Sequence, residues 1–346
     1  MGRLNRMGAM VVCAAGLFGG MSGATLAGGA AVVLGVAGQA FAQQGGGAAG
    51  KRQREKGTIE LVSAGAEPRR EARLTATKGQ KMRLVAEVGG SMTQKVNGQE
   101  TPTTKRPGVR TTIDVEVVSV DDKGDISLRA TVADCVAMPS AGVAKAAFDE
   151  YAKQAEGMKG LELKLTISAL GVAGDVETSR PGVAGRDVER IVSGIESVFE
   201  TPVPRLPEEK IGVGATWRHR WTEKVEQMKI EAVAEYKVER IDESGMAVSA
   251  KLTQTGGNQD LELPGRGGTP MRARLESLRG DGVGTMTMVW GMPMVTMMKA
   301  DVNGKTSLLI KAPQGDVPLD QRVISTLKLE VAKEGKVEQS KDERAK

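Results

Sequence analysis

Apolar and charged residues alternate one for one through several strand-sized segments of this chain, and that period of two most narrows its choice of fold. Met228, Ile230, Ala232, Ala234, Tyr236 and Val238 are interleaved with Lys229, Glu231, Glu235 and Lys237. Successive side chains of an extended strand point to opposite faces, so the pattern describes a strand with one face buried and one in water. At ~3.3 Å per residue it reaches about 35–40 Å, enough to cross a whole domain. Met82, Leu84, Ala86 and Val88 alternate in the same way with Lys81, Arg83 and Glu87. Ile113, Val115 and Val117 alternate with Thr112, Asp114 and Glu116, and Ile126, Leu128, Ala130 and Val132 return beside them. Leu161, Leu163, Leu165 and Ile167 alternate with Glu162, Lys164, Thr166 and Ser168.

Turn chemistry separates these runs. Asp121-Asp122-Lys123-Gly124 and Asp242-Glu243-Ser244-Gly245 each close a hairpin. Asn97-Gly98 and Asn303-Gly304 are favoured hairpin pairs, because both residues tolerate positive φ. A polar loop runs through Pro102 and Pro107, and residues 256–269 read as another. Strands resume near Met271 and Thr285, and Leu327, Leu329 and Val331 form the last one.

Two segments have the helical period instead. Ser140 is placed to cap a helix through about Gly157, with Ala144, Ala147, Phe148, Tyr151 and Ala155 on one face. A second helix runs from about Asp187 to Phe199, where Val188, Ile191, Val192, Ile195, Val198 and Phe199 make an apolar stripe. Pro202, Pro204 and Pro207 prevent its continuation. The expected fold class is mainly β (α+β): curved antiparallel sheets, read as two duplicated half-barrels, with two inserted helices. Aromatic residues are only 3% of the chain, so its core must be built from Val, Ile, Leu, Met and Ala.

The amino terminus reads as an export signal over residues 1–42. Arg3 and Arg6 precede a stretch without charge from Met7 to Ala42, and Ala40-Phe41-Ala42 fits a cleavage site before Gln43. The alternative is an uncleaved membrane anchor, since ~20 apolar residues can span a bilayer. Cleavage lowers the net charge from +5 to +3, too mild for a nucleic-acid-binding surface, and no basic block is interleaved with aromatics. Residues 43–56 read as a disordered linker, 57–205 as an N-terminal β-rich half with two helices, 206–332 as a C-terminal β-rich half and 333–346 as a charged tail. The mature chain keeps one cysteine, Cys135, so it has no internal disulfide, and its apolar strand makes a buried structural thiol the expected state.

The halves meet at Leu206-Pro207-Glu208-Glu209-Lys210-Ile211-Gly212-Val213-Gly214-Ala215-Thr216-Trp217. Gly79-Gln80-Lys81-Met82-Arg83 opens the first long strand and Gly214-Ala215-Thr216-Trp217-Arg218 the corresponding one. Each is followed by an alternating hairpin with an acidic turn ending in glycine, which reads as an internal duplication. The stretch Leu-Pro-x-x-x-Ile-Gly-Val-Gly-x-x-Trp resembles one in a family of uncharacterised secreted bacterial β-rich proteins, where it divides two β regions. Gly160 to Val176 also resembles their segment before a helix. The likeness spans roughly Thr58 to Val331, and it implies the architecture and no activity. A weaker, topological likeness is to periplasmic lipoprotein-carrier folds.

Residues able to carry chemistry are few. His219 is the sole histidine, so any Ser-His-Asp arrangement must use it. In Trp217-Arg218-His219-Arg220-Trp221 it shares a strand face with both tryptophans, which marks a packed or rim residue rather than a catalytic one. Glu208-Glu209 read as a solvated turn, and Gly212-Val213-Gly214 lacks the later glycine and helix of a phosphate loop. Gly212 and Gly214 are expected to permit a tight turn or a close backbone approach, with Trp217 buried beside them. Met286, Met288, Met292, Met294, Met297 and Met298 crowd around Trp290. Thioethers are soft, adaptable apolar fillers and also ligands for Cu(I). Met286, Met288, Trp290, Met292 and Met294 are the candidate ligand-binding residues. Met286 and Met288 share one strand face, and Met292 and Met294 another. No catalytic residue, metal site or cofactor is assigned.

The functional expectation is a secreted or periplasmic, non-catalytic binding module for an apolar, lipid-like ligand or an envelope protein partner. It has no nucleic-acid partner and no membrane span once the signal is cleaved. The alternatives are a structural cell-envelope protein with a closed core and, as a minor reading, copper held by methionines.

Overall fold

A computed structural model describes residues 53–54, 57–105, 107–179, 192, 195–196, 199, 204–225, 227–264, 270–312 and 315–332. The expected signal segment, most of the linker and the charged tail lie outside these residues.

Among the described residues sixteen strands form one antiparallel sheet. In chain order they are β1 (Gln53–Arg54), β2 (Thr58–Ser63), β3 (Lys81–Val96), β4 (Gln99–Glu100), β5 (Thr104–Lys105), β6 (Gly108–Val120), β7 (Ile126–Met138), β8 (Glu162–Ile167), β9 (Glu177–Ser179), β10 (Thr216–Val225), β11 (Met228–Ile241), β12 (Gly245–Gly256), β13 (Gln259–Pro264), β14 (Pro270–Val289), β15 (Met297–Ile310) and β16 (Val317–Val331). Helix α1 (Lys145–Glu156) lies between β7 and β8. The main path across the sheet is β1-β10-β11-β12-β14-β15-β16-β3-β6-β7-β8-β9, and it does not close into a barrel. The two expected halves are therefore sewn into one sheet: β16 pairs with β3 from Val331↔Leu84 to Leu319↔Val96, and β2 pairs with β10.

The sheet is bent because its apolar face must be covered. Leu128 on β7 and Leu163 on β8, near one end of the strand order, share a core with Trp217 and Trp221 on β10, near the other end. Tyr151, Ala155 and Met158, from α1 and the turn after it, pack into the same core. A second apolar cluster joins Met228, Ile230, Leu261, Leu275, Leu308 and Leu319. Between the two clusters the inward row reads Trp221, Ala232, Gln254, Gly280, Gly304 and Val323 across six strands. A Cβ on Gly280 would stand 2.9 Å from Gln254 Oε1, so this glycine makes room for a buried amide.

Charged residues occupy the outer face. Arg83 on β3 bonds Asp114 on β6 at 2.6 and 2.9 Å, and Arg110 on β6 bonds Glu87 on β3. Arg218 on β10 reaches Glu235 on β11 at 2.8 Å. Opposite charges directly across antiparallel strands each add a few tenths of a kcal/mol to about 1 kcal/mol. The Arg83 guanidinium holds the Asp114 carboxyl below its ordinary pKa, chiefly through their hydrogen bond.

Several local expectations are corrected. Ser140 does not cap the helix: it opens a turn in which Val143 N–H donates to its carbonyl, and α1 starts after Ala144 with no side-chain cap. Of the second helix only Val192, Ile195, Glu196 and Phe199 are described; all four are helical, and Val192, Ile195 and Phe199 are buried. The segment 256–269 is not all loop, because β13 zips onto β14 from Gln259↔Leu275 to Pro264↔Pro270. β14 runs unbroken where two strands are expected. The polar loop after Asn97-Gly98 carries two short pieces of strand, β4 and β5, paired with β3.

Asn303-Gly304 is not a hairpin turn. It lies in the middle of β15, with Gly304 between Gly280 and Val323, whereas Asn97-Gly98 does turn the chain with φ of 52° and 76°. The dipeptide permits a turn, but two flanking strands that pair with β15 along its length hold this copy extended.

Candidate functional site

The stretch between the halves is a docked strap. Arg70 and Ile211 exchange backbone hydrogen bonds at 2.9 Å, Gly212 N–H donates to the Ala64 carbonyl, and Ala66 N–H donates to the Val213 carbonyl. Arg73 reaches the carbonyls of Pro207 at 3.0 Å and Glu208 at 2.7 Å. A Cβ on Gly212 would overlap the Ala66 carbonyl oxygen, so close backbone approach demands glycine there. Gly214 has φ +76°, the left-handed conformation of a tight turn. The side chains of Glu208 and Glu209 stand exposed in a bend before Ile211.

Trp217 follows and is fully buried. Its indole N–H donates to the Arg205 carbonyl at 2.7 Å, and its ring stacks on Tyr236, its register partner on β11, at 5.1 Å between centroids. His219 and Trp221 continue the inward face of β10, stacked at 4.6 Å, with Glu223 beyond them and also buried. Arg218 and Arg220 point the other way, into the outer-face ion pairs. His219 is 4% exposed, and Gly57 folds over it at φ +60°.

The methionines are mostly core. Met286, Met288, Met294 and Met298 are each 9% exposed or less and belong to the main apolar cluster. Sheet register adds a methionine that spacing along the chain does not reveal: Met246 on β12 faces Met288, and Met286 faces Met298. Four unbranched side chains thus meet on three adjacent strands. Met292 and Met294 do not share a strand face; both lie in the turn between β14 and β15. Met292 there is half-buried, and its sulfur accepts a bond from Gln80 Nε2 at 3.2 Å. Trp290 Nε1 donates to the Asp242 carbonyl at 2.8 Å and is only partly buried. Packing around β14 is tight, since a Cβ on Gly282 would come within 3.2 Å of Val302 Cγ2.

A groove of about 480 Å³ lies elsewhere, over the outer face of β7, β8 and β9. Ser127, Arg129, Glu162, Lys164, Thr166, Asp175 and Glu177 supply its polar lining, and Val118 borders it. Each of these residues reads singly as a solvated strand face. Only the register, which sets Arg129 opposite Lys164 and Ser127 opposite Thr166, gathers them.

Among the described residues no group of three or more His, Cys, Asp and Glu side chains is placed to hold a metal ion. Cys135 is buried against Thr111 Oγ1 at 3.6 Å, and burial pushes its thiol up to about 11. No described helix is long and apolar enough to cross a membrane.

No protein-family model matches the sequence, and no curated protein matches it. Among solved structures, an outer membrane channel from Pseudomonas putida F1 aligns at TM-score 0.21 and 8% identity, over 75% of this chain and 97% of that one. Pseudomonas aeruginosa OccK9 (OpdG) aligns at 0.18 and 7% identity, over 72% and 98%. OccK2 (OpdF) of the same organism aligns at 0.19 and 6%, over 73% and 98%.

Proposed function

We propose that the protein is an exported, non-catalytic binding module of the cell envelope, whose inner sheet face is a packed core and whose outer face meets an envelope partner. The observation that carries this reading is the direction of the strand alternation. Lys229, Glu231, Glu235 and Lys237 point outward on β11 while Ile230, Ala232, Tyr236 and Val238 are buried. A membrane-spanning barrel requires the reverse, an apolar outer band around a polar interior. This outer face is built for water.

Export is supported by Arg3, Arg6, the uncharged run to Ala42 and the Ala40-Phe41-Ala42 site. The non-catalytic reading is supported by the sole histidine, which is sealed under Gly57 and stacked on Trp221, away from the groove-lining residues. Burial of the methionines supports a packed core over a ligand chamber.

A second reading rests on the same four methionines. Met246, Met288, Met286 and Met298 in register give a flexible apolar patch able to repack around a lipid-like guest. Native mass spectrometry of protein purified from the envelope separates the two. The packed-core module predicts a clean apo mass. A reproducible co-purifying lipid overturns it in favour of the ligand chamber, and stoichiometric copper would move the thioethers into a metal site.

A further inference from the structure

Like the Arg279–Lys305–Arg322 row across β14, β15 and β16, the outer-face groove sets cations opposite one another, and it gathers carboxylates and hydroxyls beside them in one concavity. Along β3–β6 and β10–β11, opposite charges meet across the strands and close on one another at 2.6–2.8 Å. In the groove, Arg129 and Lys164 are direct register partners, so two cations stand side by side. Like charges directly opposite destabilise a strand pair. Arg129 has only a 3.8 Å contact with Glu116. Among the described residues Lys164, Glu162, Asp175 and Glu177 form no ion pair, and the Ser127 and Thr166 hydroxyls make no hydrogen bond. Lys164 and Glu177 are register partners across β8–β9 yet do not close on one another.

We propose that this groove is a binding site for a short zwitterionic peptide. The peptide carboxylate sits between the Arg129 guanidinium and the Lys164 ammonium, where a shared anion relieves their repulsion. Ser127 and Thr166, opposite each other in the next row, donate hydroxyl bonds to the same group. The peptide amino group meets Glu162, Asp175 and Glu177, whose carboxylates line the same groove. A volume of 480 Å³ lies within the usual range for small-molecule sites, ~300–1,000 Å³. The chemistry selects for both charges together: the acids repel a lone anion, and the cation pair repels a lone amine. The proposal rests on the reading of the protein as a module that works through its outer face.

The test is calorimetric titration of the full-length mature protein with triglycine, with acetate and ethylammonium as single-charge controls. The expected result is saturable binding of triglycine that weakens with added salt and is absent for either control. Lys164→Glu should weaken it by at least about tenfold, as expected for losing one charge-assisted bond. The same change trades the like-charge pair with Arg129 for a like-charge pair with Glu177 across β8–β9, so the melting temperature should stay about level. Arg129→Gln provides a second variant on the neighbouring strand and should weaken binding to a similar degree. No saturable heat with triglycine, or variants that bind as tightly as the parent, overturns the proposal. A co-purifying lipid would overturn the packed-core module and leave this titration standing, whereas a null titration removes the groove alone.

Discussion

Replacing Trp217 with alanine should be among the most damaging single changes available. A tryptophan buries roughly 150–250 Å², and at ~25 cal/mol per Å² its complete burial is worth about 4–6 kcal/mol. Alanine keeps the Cβ, but the site cannot collapse fully between the docked strap and Tyr236. Large-to-small changes of this kind cost about 3–5 kcal/mol. Trp217 is 0% exposed, so none of that range is discounted for solvent contact. The change also orphans the Arg205 carbonyl, which accepts the indole N–H at 2.7 Å, although water entering the cavity offsets part of that loss. The expected loss is about 4–5 kcal/mol, a large share of the 5–15 kcal/mol that holds a typical domain together. Urea unfolding followed by far-ultraviolet circular dichroism measures it, with the slope unchanged and the midpoint lowered. Trp217→Phe keeps a ring against Tyr236 but loses the donor and part of the indole's volume, so it should lie above the alanine variant, down by roughly 1–3 kcal/mol. A loss under about 1 kcal/mol for Trp217→Ala would mean that the strap is not anchored by this ring.

Two further predictions concern the buried thiol and the strap. Burial raises the Cys135 thiol to about 11, against an opposing bond to Thr111, with the Asp134 charge adding to the rise. At pH 8 the folded protein should therefore resist alkylation that proceeds readily in urea. The unfolded thiol ionises first as pH rises, so stability is fully present below its ordinary pKa and declines between about pH 9 and 11. Cys135→Ser should flatten that decline in unfolding free energy, and an unaltered slope would exclude the thiol as its source. Gly212→Ala should destabilise by about 1–3 kcal/mol or more, because its Cβ overlaps the Ala66 carbonyl and the backbone must move. Unfolding free energy equal to the parent would show that the 64–66 segment is not held against the strap.

The sequence determined much of what depends on nearest neighbours along the chain, though not the cap expected of Ser140 or the strand face expected of Met292 and Met294. Period-two alternation assigned most of the long strands and their buried faces, though not β4, β5 or β13, and in Trp217-Arg218-His219-Arg220-Trp221 it separated the packed rings from the outward arginines. The scarcity of aromatics pointed to a core of Val, Ile, Leu, Met and Ala, which holds for most of it, although Trp217, Trp221, Tyr151, Tyr236 and Phe199 are buried there too. Tertiary structure decided whatever depends on which strands become neighbours. Asn97-Gly98 turns and Asn303-Gly304 does not, although the dipeptides are identical, because β14 and β16 hold the second pair extended. The pairing of Met246 with Met288 depends on the register between β12 and β14, and the groove on the register of β7 with β8. Side chains dozens of residues apart meet only when strands align, and a shift of one residue would turn each of them to the other face. Local pattern specifies which face of a strand is dry, and register alone specifies what stands beside what on it.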